Sequence, residues 1–351
     1  ILSESLTRPN GIGNQVTARI IVMPPHRPST HCSPLPPHAP KRRPRSVGWI
    51  VLAILRSAPG WVTLTLGLLP ETHTRHRYVA QAASFIHLGL VAWLAVLLTL
   101  LLGLIVSRRV APAVAALPVI VALGVQMSWW WHDDEFEDVI RTHENVAMVN
   151  LAMGVGAMEE FLDDPTPRDS VVSVYVFVEA TDELIARVDA AGLAQTHPYS
   201  AGEARSGPGG TVIRSSRPLT EIDRADTTFV SPLVRVRGNV PGDESQDLLI
   251  AGVHPMNPMA GAGPWARDAA ALRTMLARHI DAPVLVIGDF NAISRHKTML
   301  DLAEDGWRNC NRGPDIPTWP VGFRVPPKPV IGIDHALVSP GATCGDPDVF
   351  E

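Results

Sequence analysis

The stretch Val79 to Val106, which includes HLGLVAWLAVLLTLLLGLIV, has no charged residue over more than the roughly 20 residues a helix needs to cross a bilayer core. A single water-soluble globule has no place for such a segment, so the chain is expected to hold a membrane-spanning part beside any soluble module. A second run, Val110 to Trp131, is also free of charge and ends in Ser128-Trp129-Trp130-Trp131, whose amphipathic indoles suit the headgroup layer. A third, Val47 to Leu69, carries Arg56 near its middle and the pair Pro59-Gly60. An arginine inside a span costs about 2.5 to 3.5 kcal/mol, which the surrounding Trp, Ile, Val and Leu offset, and a buried or interfacial helix is the competing reading. The expected spans are therefore 47–69, 79–106 and 110–131.

Charge divides the chain at the same place. Up to Trp131 there are twelve Lys and Arg against Glu4 and Glu71; from His132 onward there are eighteen against thirty-three acidic residues. The overall charge of -5 hides a basic first part and a strongly acidic second part. A basic segment is drawn to anionic lipid, and an acidic domain is repelled by polyanions, so bulk nucleic-acid binding is disfavoured. Lys and Arg near span ends stay on the cytoplasmic side. With three spans, the cluster Lys41, Arg42, Arg43, Arg45 and the pair Arg108-Arg109 both lie inside, and everything after Trp131 lies outside; Arg75 and Arg77 weaken this only slightly. The expected location is the cell membrane, multi-pass, with the second module extracytoplasmic.

Residues 1–46 show no sustained apolar periodicity and are crowded with Pro and His from Met23 to Arg45, which reads as a disordered basic tail. Cys32, Cys310 and Cys344 have no metal-site spacing. Cys310 and Cys344 are open to one bridge in an oxidising compartment, but two thiols so far apart in sequence are expected to be buried and unpaired.

From residue 144 the pattern is that of an α/β domain, with short β-rich runs separated by Gly, Pro and Asp loops. Residues 145–151, 171–178, 211–215, 248–253, 283–287 and 333–338 read as strands, and 182–191 and 264–279 as helices. So many strands with few helices favour a two-layered sandwich over a doubly wound sheet.

The sharpest motif is Val286-Ile287-Gly288-Asp289-Phe290-Asn291-Ala292, an apolar strand running into a carboxylate and a carboxamide two positions apart. Alternation is expected to put Asp289 and Asn291 on one side of the chain. A carboxylate orients water or holds a divalent cation, and a carboxamide fixes a phosphate oxygen, so the pair suits phosphoryl chemistry. Taken alone, Asp-x-Asn at a strand end is more often a loop cap. Glu179 closes the apolar run Val174-Tyr175-Val176-Phe177-Val178, where a lone carboxylate is costly unless a cation compensates it; a charge preceding a helix is the plainer alternative.

These motifs, in this order, resemble the endonuclease/exonuclease/phosphatase superfamily, DNase I-like, and a membrane-anchored bacterial subtype of it. The resemblance extends from Asn145 to Val338. It implies that Asn150 supports the site, that Glu179 binds the metal, that His254 contacts phosphate, and that Asp289 and Asn291 position water and phosphate. Asp334, in Gly332-Ile333-Asp334-His335, would orient the base, and His335 would line the site without being the base. Gly209 to Leu219 is similar to a structural landmark of the family. The implied fold is a four-layered αββα sandwich in 144–351, preceded by the transmembrane helices of 47–131, and the implied cofactor is Mg²⁺ or Mn²⁺. The family closes with a strand preceded by Ser-Asp-His, which supplies the general base. After Val338 this chain runs to Glu351 without that motif, so either the sequence continues or this copy lacks a group worth about 10² to 10⁴ in rate.

The function expected from all this is a divalent-metal-dependent phosphoesterase, outside the membrane, acting on a phosphorylated lipid or envelope intermediate. Its partners would be the bilayer and a phosphorylated small-molecule or lipid substrate. The alternatives are an extracytoplasmic nuclease, for which Arg205, Arg214, Arg217, Arg224, Arg235 and Arg237 would have to line a groove, and a catalytically impaired binding module.

Overall fold

The computed structural model describes residues 45–130, 145–151, 172–238, 247–311, 313–321 and 328–345. The Pro- and His-rich tail up to residue 44 lies outside the described residues. Four helices come first: α1 (Arg45–Leu68), α2 (Arg77–Ala83), α3 (Leu88–Ser107) and α4 (Ala111–Ser128). Three of them, over Val47–Leu68, Leu88–Ser107 and Ala111–Ser128, are long and apolar enough to cross a membrane. The uncharged run from Val79 is broken at residues 84–87, so its first turns form α2, and the long helix starts at Leu88. Large apolar side chains such as Leu55, Val91, Leu94, Leu98 and Val121 point outward, and Ala53, Trp93, Val96, Leu100, Val119 and Ala122 face inward. This inside-out distribution suits an apolar surrounding. Polar contacts tie the helices together: Arg56 donates to Thr99 Oγ1 at 2.9 Å, and Trp93 Nε1 donates to Gln126 Oε1 at 2.8 Å.

The second half packs two sheets face to face. Strands β1 (Val146–Asn150), β2 (Val174–Val178), β3 (Tyr199–Glu203) and β4 (Thr211–Ser215) form a sheet of order β1-β2-β4-β3. Strands β5 (Leu219–Arg224), β6 (Pro232–Val236), β7 (Leu248–Val253), β8 (Val284–Asp289), β9 (Arg308–Asn309) and β10 (Asp334–Val338) form the other, of order β5-β6-β7-β8-β10-β9. The pairs β1–β2 and β7–β8 are parallel; the other pairings are antiparallel.

Alternation along the strands builds three apolar layers. Val174, Val176, Ile213, Val234, Val236 and Ile250 meet between the sheets. Tyr175 and Phe177 turn the other way, toward α5 (Asp182–Val188). Leu249, Ala251, Val253, Val284, Val286 and Leu337 cover the far side of the second sheet, under α6 (Ala262–Ala277) and α7 (Lys297–Glu304). The order helix, sheet, sheet, helix is the four-layered αββα sandwich. Gly252 lies where the sheets approach: a Cβ there would stand 2.9 Å from Val176 Cγ1 and 3.2 Å from Ile213 Cδ1.

Two expectations are corrected. Strands β3, β5, β6 and β9 and helix α7 add to those read from sequence; β5 alternates in burial but has charged residues at half of its positions, and β3 is short and polar. Cys310 and Cys344 are bonded to each other, with Cα atoms 5.6 Å apart, and are not separate buried thiols. The strand pairing explains it: Cys310 N donates to Ala336 O on β10, and Arg308 Nη2 donates to Ala342 O at 2.6 Å, which folds the chain after β10 back over β9.

The two halves touch through one end of the helical region. Gly67 at the end of α1, Glu71 just after it, Ala80 and Ala83 on α2, Ile86 before α3, and Trp129 and Trp130 after α4 make the contact, all remote from Arg108-Arg109.

Candidate active site

Four strands end at the same edge of the sandwich. On β1, Asn150 follows Val146 and Met148 on the face between the sheets. On β7, His254 follows Ile250 and Gly252 on that face, and on β8, Asp289 follows Ile287. Asp334 opens β10 in register with Asp289. Strand alternation alone thus delivers Asn150, His254, Asp289 and Asp334 to one place.

Glu179 arrives by a different route. One residue beyond Val178, alternation would send it to the α5 side with Phe177. Its backbone instead adopts φ 53°, a left-handed conformation uncommon for a residue with a side chain. The kink brings Glu179 to the site, where Asn150 hydrogen-bonds its carboxylate. Ligand atoms of Glu179, His254 and Asp289 then lie within 4.8 Å of one another, drawn from both sheets.

Asn291 is also left-handed, at φ 50°, so Asp289 and Asn291 are related by a turn and not by strand alternation. Asn291 N donates to Asp289 Oδ1 at 2.8 Å, and its Nδ2 donates to Pro255 O at 3.0 Å, beside His254. Asn150 Nδ2 approaches Asp289 Oδ2 at 3.4 Å.

His335 is the correction among the expected site residues. It pairs with Gly288, one position out of step with Asp289, and so stands on the helix-covered face of the sheet. There its ring lies 5.7 Å from that of Phe290, and Nε2 donates to Ala292 O at 2.7 Å. It braces the loop after Asp289 from behind and does not line the site.

Burial governs the charges. Desolvation pushes the Asp289 carboxyl well above its ordinary range, and the neighbouring Asp334 adds to this. Asp334 is raised by burial, against the opposing hydrogen bond to Thr318, and Glu179 by burial, against that to Asn150. Burial lowers His254 to about 4, so its imidazole is neutral at neutral pH. Its Nε2 stands 3.9 Å from Asp289 Oδ2, too far for a hydrogen bond, and it is no cation in an ion pair.

A cation at this spot would offset the cost of charging three carboxyl groups whose charged forms are disfavoured there. Asp334 Oδ1 is buried with no hydrogen-bond partner among the described residues, an acceptor left over for one. The donors are mainly carboxylate oxygens, which fit a hard divalent ion better than a soft one.

Supporting residues carried no sequence signal. Thr318 Oγ1 accepts from the amides of Ile333 and Asp334, at 3.1 and 3.3 Å. Ser231 Oγ accepts from His254 N at 3.3 Å. Buried Asp268 on α6 accepts from Met256 N and Thr228 N, fixing the loop after His254. Each acts across a long sequence gap, which no local motif reveals.

Comparison with curated proteins finds no match. Among solved structures, the chain is similar to a β-hairpin deletion mutant of beta toxin from Staphylococcus aureus, at 15% identity over 56% of this chain and 87% of that chain, with a TM-score of 0.43. It is also similar to an AP endonuclease from Archaeoglobus fulgidus (10% identity, 56% and 87% covered, TM-score 0.41). A third likeness is to an endonuclease/exonuclease/phosphatase family protein from Bacteroides thetaiotaomicron (11% identity, 57% and 84% covered, TM-score 0.39). The family model described as Endonuclease/Exonuclease/phosphatase family matches residues 130–351, more than half of the chain, and the protein belongs to that family of hydrolases.

Proposed function

We propose that the chain is a membrane-anchored, divalent-metal-dependent phosphoesterase that works outside the cytoplasmic membrane on a phosphorylated lipid or envelope intermediate. The observation that carries the reading is the convergence of Glu179, His254 and Asp289 from two sheets to within 4.8 Å. A bound Mg²⁺ or Mn²⁺ would neutralise a phosphate oxygen and the leaving oxyanion. Glu179 and Asp289 would hold the ion, with Asp334 as a third carboxylate beside them. Neutral His254 would donate a hydrogen bond to a phosphate oxygen, and Asn150 and Asn291 would fix the carboxylates and the phosphate.

Anchoring is supported by the three long apolar helices and by the outward-facing leucines and valines. The outer placement is supported by charge, since the domain meets the helix ends remote from Arg108-Arg109. The Cys310–Cys344 bond fits an oxidising compartment. The nuclease alternative loses ground because Arg205, Arg214 and Arg224 are bound to Glu203, Asp189 and Glu221 and present no free basic track.

The test uses the full chain in liposomes, with a lipid monophosphate, a lipid pyrophosphate, bis(4-nitrophenyl) phosphate and duplex DNA offered in turn. Mg²⁺-dependent hydrolysis of a lipid phosphate, stopped by chelation and absent in Asp289→Asn, is the expected result. Turnover of DNA alone, or of nothing, would end the reading.

A further inference from the structure

The residues that follow Asp289 leave the site and run straight onto the helical region. Phe290 N donates to Ile333 O at 2.8 Å, Asn291 turns the chain, and Ala292 O is held by His335. From Ile293 onward the loop has partners on both sides: Ser294 N donates to Asp315 Oδ2 within the domain at 2.9 Å, while Ile293, Arg295, His296 and Lys297 reach the helices. Ile293 packs with Ala83 and Ile86. Arg295 Nη2 donates to Gly67 O at 3.1 Å, and its guanidinium lies 4.6 Å over the Trp129 ring. Lys297 Nζ stands 3.3 Å from the Glu71 carboxylate.

His296 sits in the middle of these contacts and is fully buried. Its Nδ1 is 3.1 Å from Ile293 N, a group that only donates, so Nδ1 is the unprotonated nitrogen. Nε2 therefore carries the hydrogen and donates it to Ala80 O on α2, at 3.0 Å. One tautomer satisfies both nitrogens, one within the loop and one across the junction. The rings of His73 and Trp265 close around it edge-on, with centroids 5.5 and 5.1 Å away.

We infer that His296 is a positioning residue: by tying the loop that carries Asn291 to α2, it makes the helical region a working part of the site as well as an anchor. The inference rests on the hydrolase reading above. Asn291 has a left-handed backbone, which Asn tolerates better than most residues, and its aim depends on how the chain on either side of it is held. Before it the hold is the Phe290 N to Ile333 O bond; after it come the Ala292–His335 and Ser294–Asp315 bonds and the Ile293–Lys297 contacts with the helices. If the loop slips, Asn291 loses its aim at the phosphate, and the Asn291 N to Asp289 Oδ1 bond goes with it. A misplacement near 1 Å in a reacting constellation costs roughly 10²-fold in rate.

Two substitutions separate the two nitrogens. Asn in place of His keeps an acceptor for Ile293 N and loses the reach to Ala80 O; Gln keeps the reach and loses the local acceptor. The full chain in detergent is assayed with Mg²⁺ and bis(4-nitrophenyl) phosphate, and hydrogen exchange of the 289–297 amides is followed without metal. Expected for His296→Asn are a kcat at least about tenfold lower with KM little changed, and faster exchange in 289–297 but not in 248–253. His296→Gln is expected to recover most of both. If His296→Asn matches the wild type, or if Gln is the worse of the two, the bond to α2 is irrelevant and the inference falls. Should His296→Asn not fold, Arg295→Met, which removes the bond to Gly67 O and the stack on Trp129, decides by the same readings: undiminished kcat overturns the inference. Failure of the wild type to turn over any phosphoester sinks the hydrolase reading itself, and is distinguished from a wild type that works while both variants work equally well.

Discussion

Replacing Glu179 by Gln removes one of the charges that crowd the site and leaves its shape nearly intact. Ligand oxygens of Glu179 and Asp289 lie within 4.8 Å of each other. At an effective dielectric constant of 20, two full charges at that separation repel by roughly 3 kcal/mol, so the metal-free wild type carries a penalty that Gln relieves. The metal-free variant is therefore expected to be at least as stable as the wild type, by up to about 3 kcal/mol. The order reverses when metal is added. Free Mn²⁺ at a hundredfold excess over its dissociation constant stabilises the wild type by about 2.7 kcal/mol, a rise in Tm of roughly 5 to 10 °C for a domain of this size. Glu179→Gln, lacking a ligand, is expected to lose most of that rise. Thermal unfolding of the full chain, followed by intrinsic fluorescence with EDTA and with a Mn²⁺ series, measures both arms. An equal Mn²⁺-dependent rise in both proteins would refute the assignment of Glu179 as a ligand. A variant less stable than the wild type in EDTA would refute the electrostatic reasoning.

Reduction of the Cys310–Cys344 bond, or Cys344→Ser, is expected to cost about 3 to 4 kcal/mol from the closed loop of 34 residues, seen as a lower urea midpoint; an unchanged midpoint would mean the bond does not form in solution. His296 is held near 3 by burial, below its ordinary 6.5, so the unfolded state binds more protons between those values and stability rises with pH across that window. Relative to His296→Gln, the wild type should lose about 2 kcal/mol between pH 7.5 and 5, measured by urea unfolding, and parallel pH curves would contradict the buried neutral imidazole. Asp334→Asn should lower kcat by about 10²-fold or more while leaving folding intact, because its unpaired Oδ1 serves the site and not the core; full activity would remove Asp334 from the site. Thr318→Val, which deletes the acceptor for the Asp334 amide, is expected to cost about 1 to 3 kcal/mol of stability together with part of kcat, whereas loss of stability alone would confine Thr318 to the fold.

Most strands whose two faces are both covered were legible, because continuous apolar runs such as Val174 to Val178 announce burial without help from distant residues; β6 is as buried but was missed, its run being cut short by Pro232 and Arg235. The same alternation that reads a strand also fixes which side a strand-end residue serves. Applied to β8 and β10 it places Asp289 and Asp334 together and rejects His335, which is adjacent in sequence and on the wrong face. Strand phase, unlike proximity to the motif, separates His335 from Asp334 in the sequence itself. The polar strands β3 and β5 were hidden because their side chains face water or one another, leaving no apolar period to detect.

Where the backbone leaves the strand pattern, sequence phase stops being informative, and here it does so at the residues that matter most. Glu179 and Asn291 both reach the site through positive φ angles, a conformation that Asn tolerates and Glu does not favour. For Glu in particular such backbone persists where packed structure on both sides holds it. For Glu179 the hold comes from within the sandwich, where Ala180 N donates to Gly210 O and Arg205 N donates to Ala180 O. For Asn291 it comes from within the sandwich, through Pro255, Ile333 and His335, and also from outside it, through Ile293, Arg295 and His296 to the helix ends. A motif search sees the Asp289-Phe290-Asn291 string as self-sufficient, whereas its geometry depends on residues more than two hundred positions earlier, at Gly67 and Ala80. The two modules that composition and charge separate so sharply are joined mechanically at the point where the chemistry would occur.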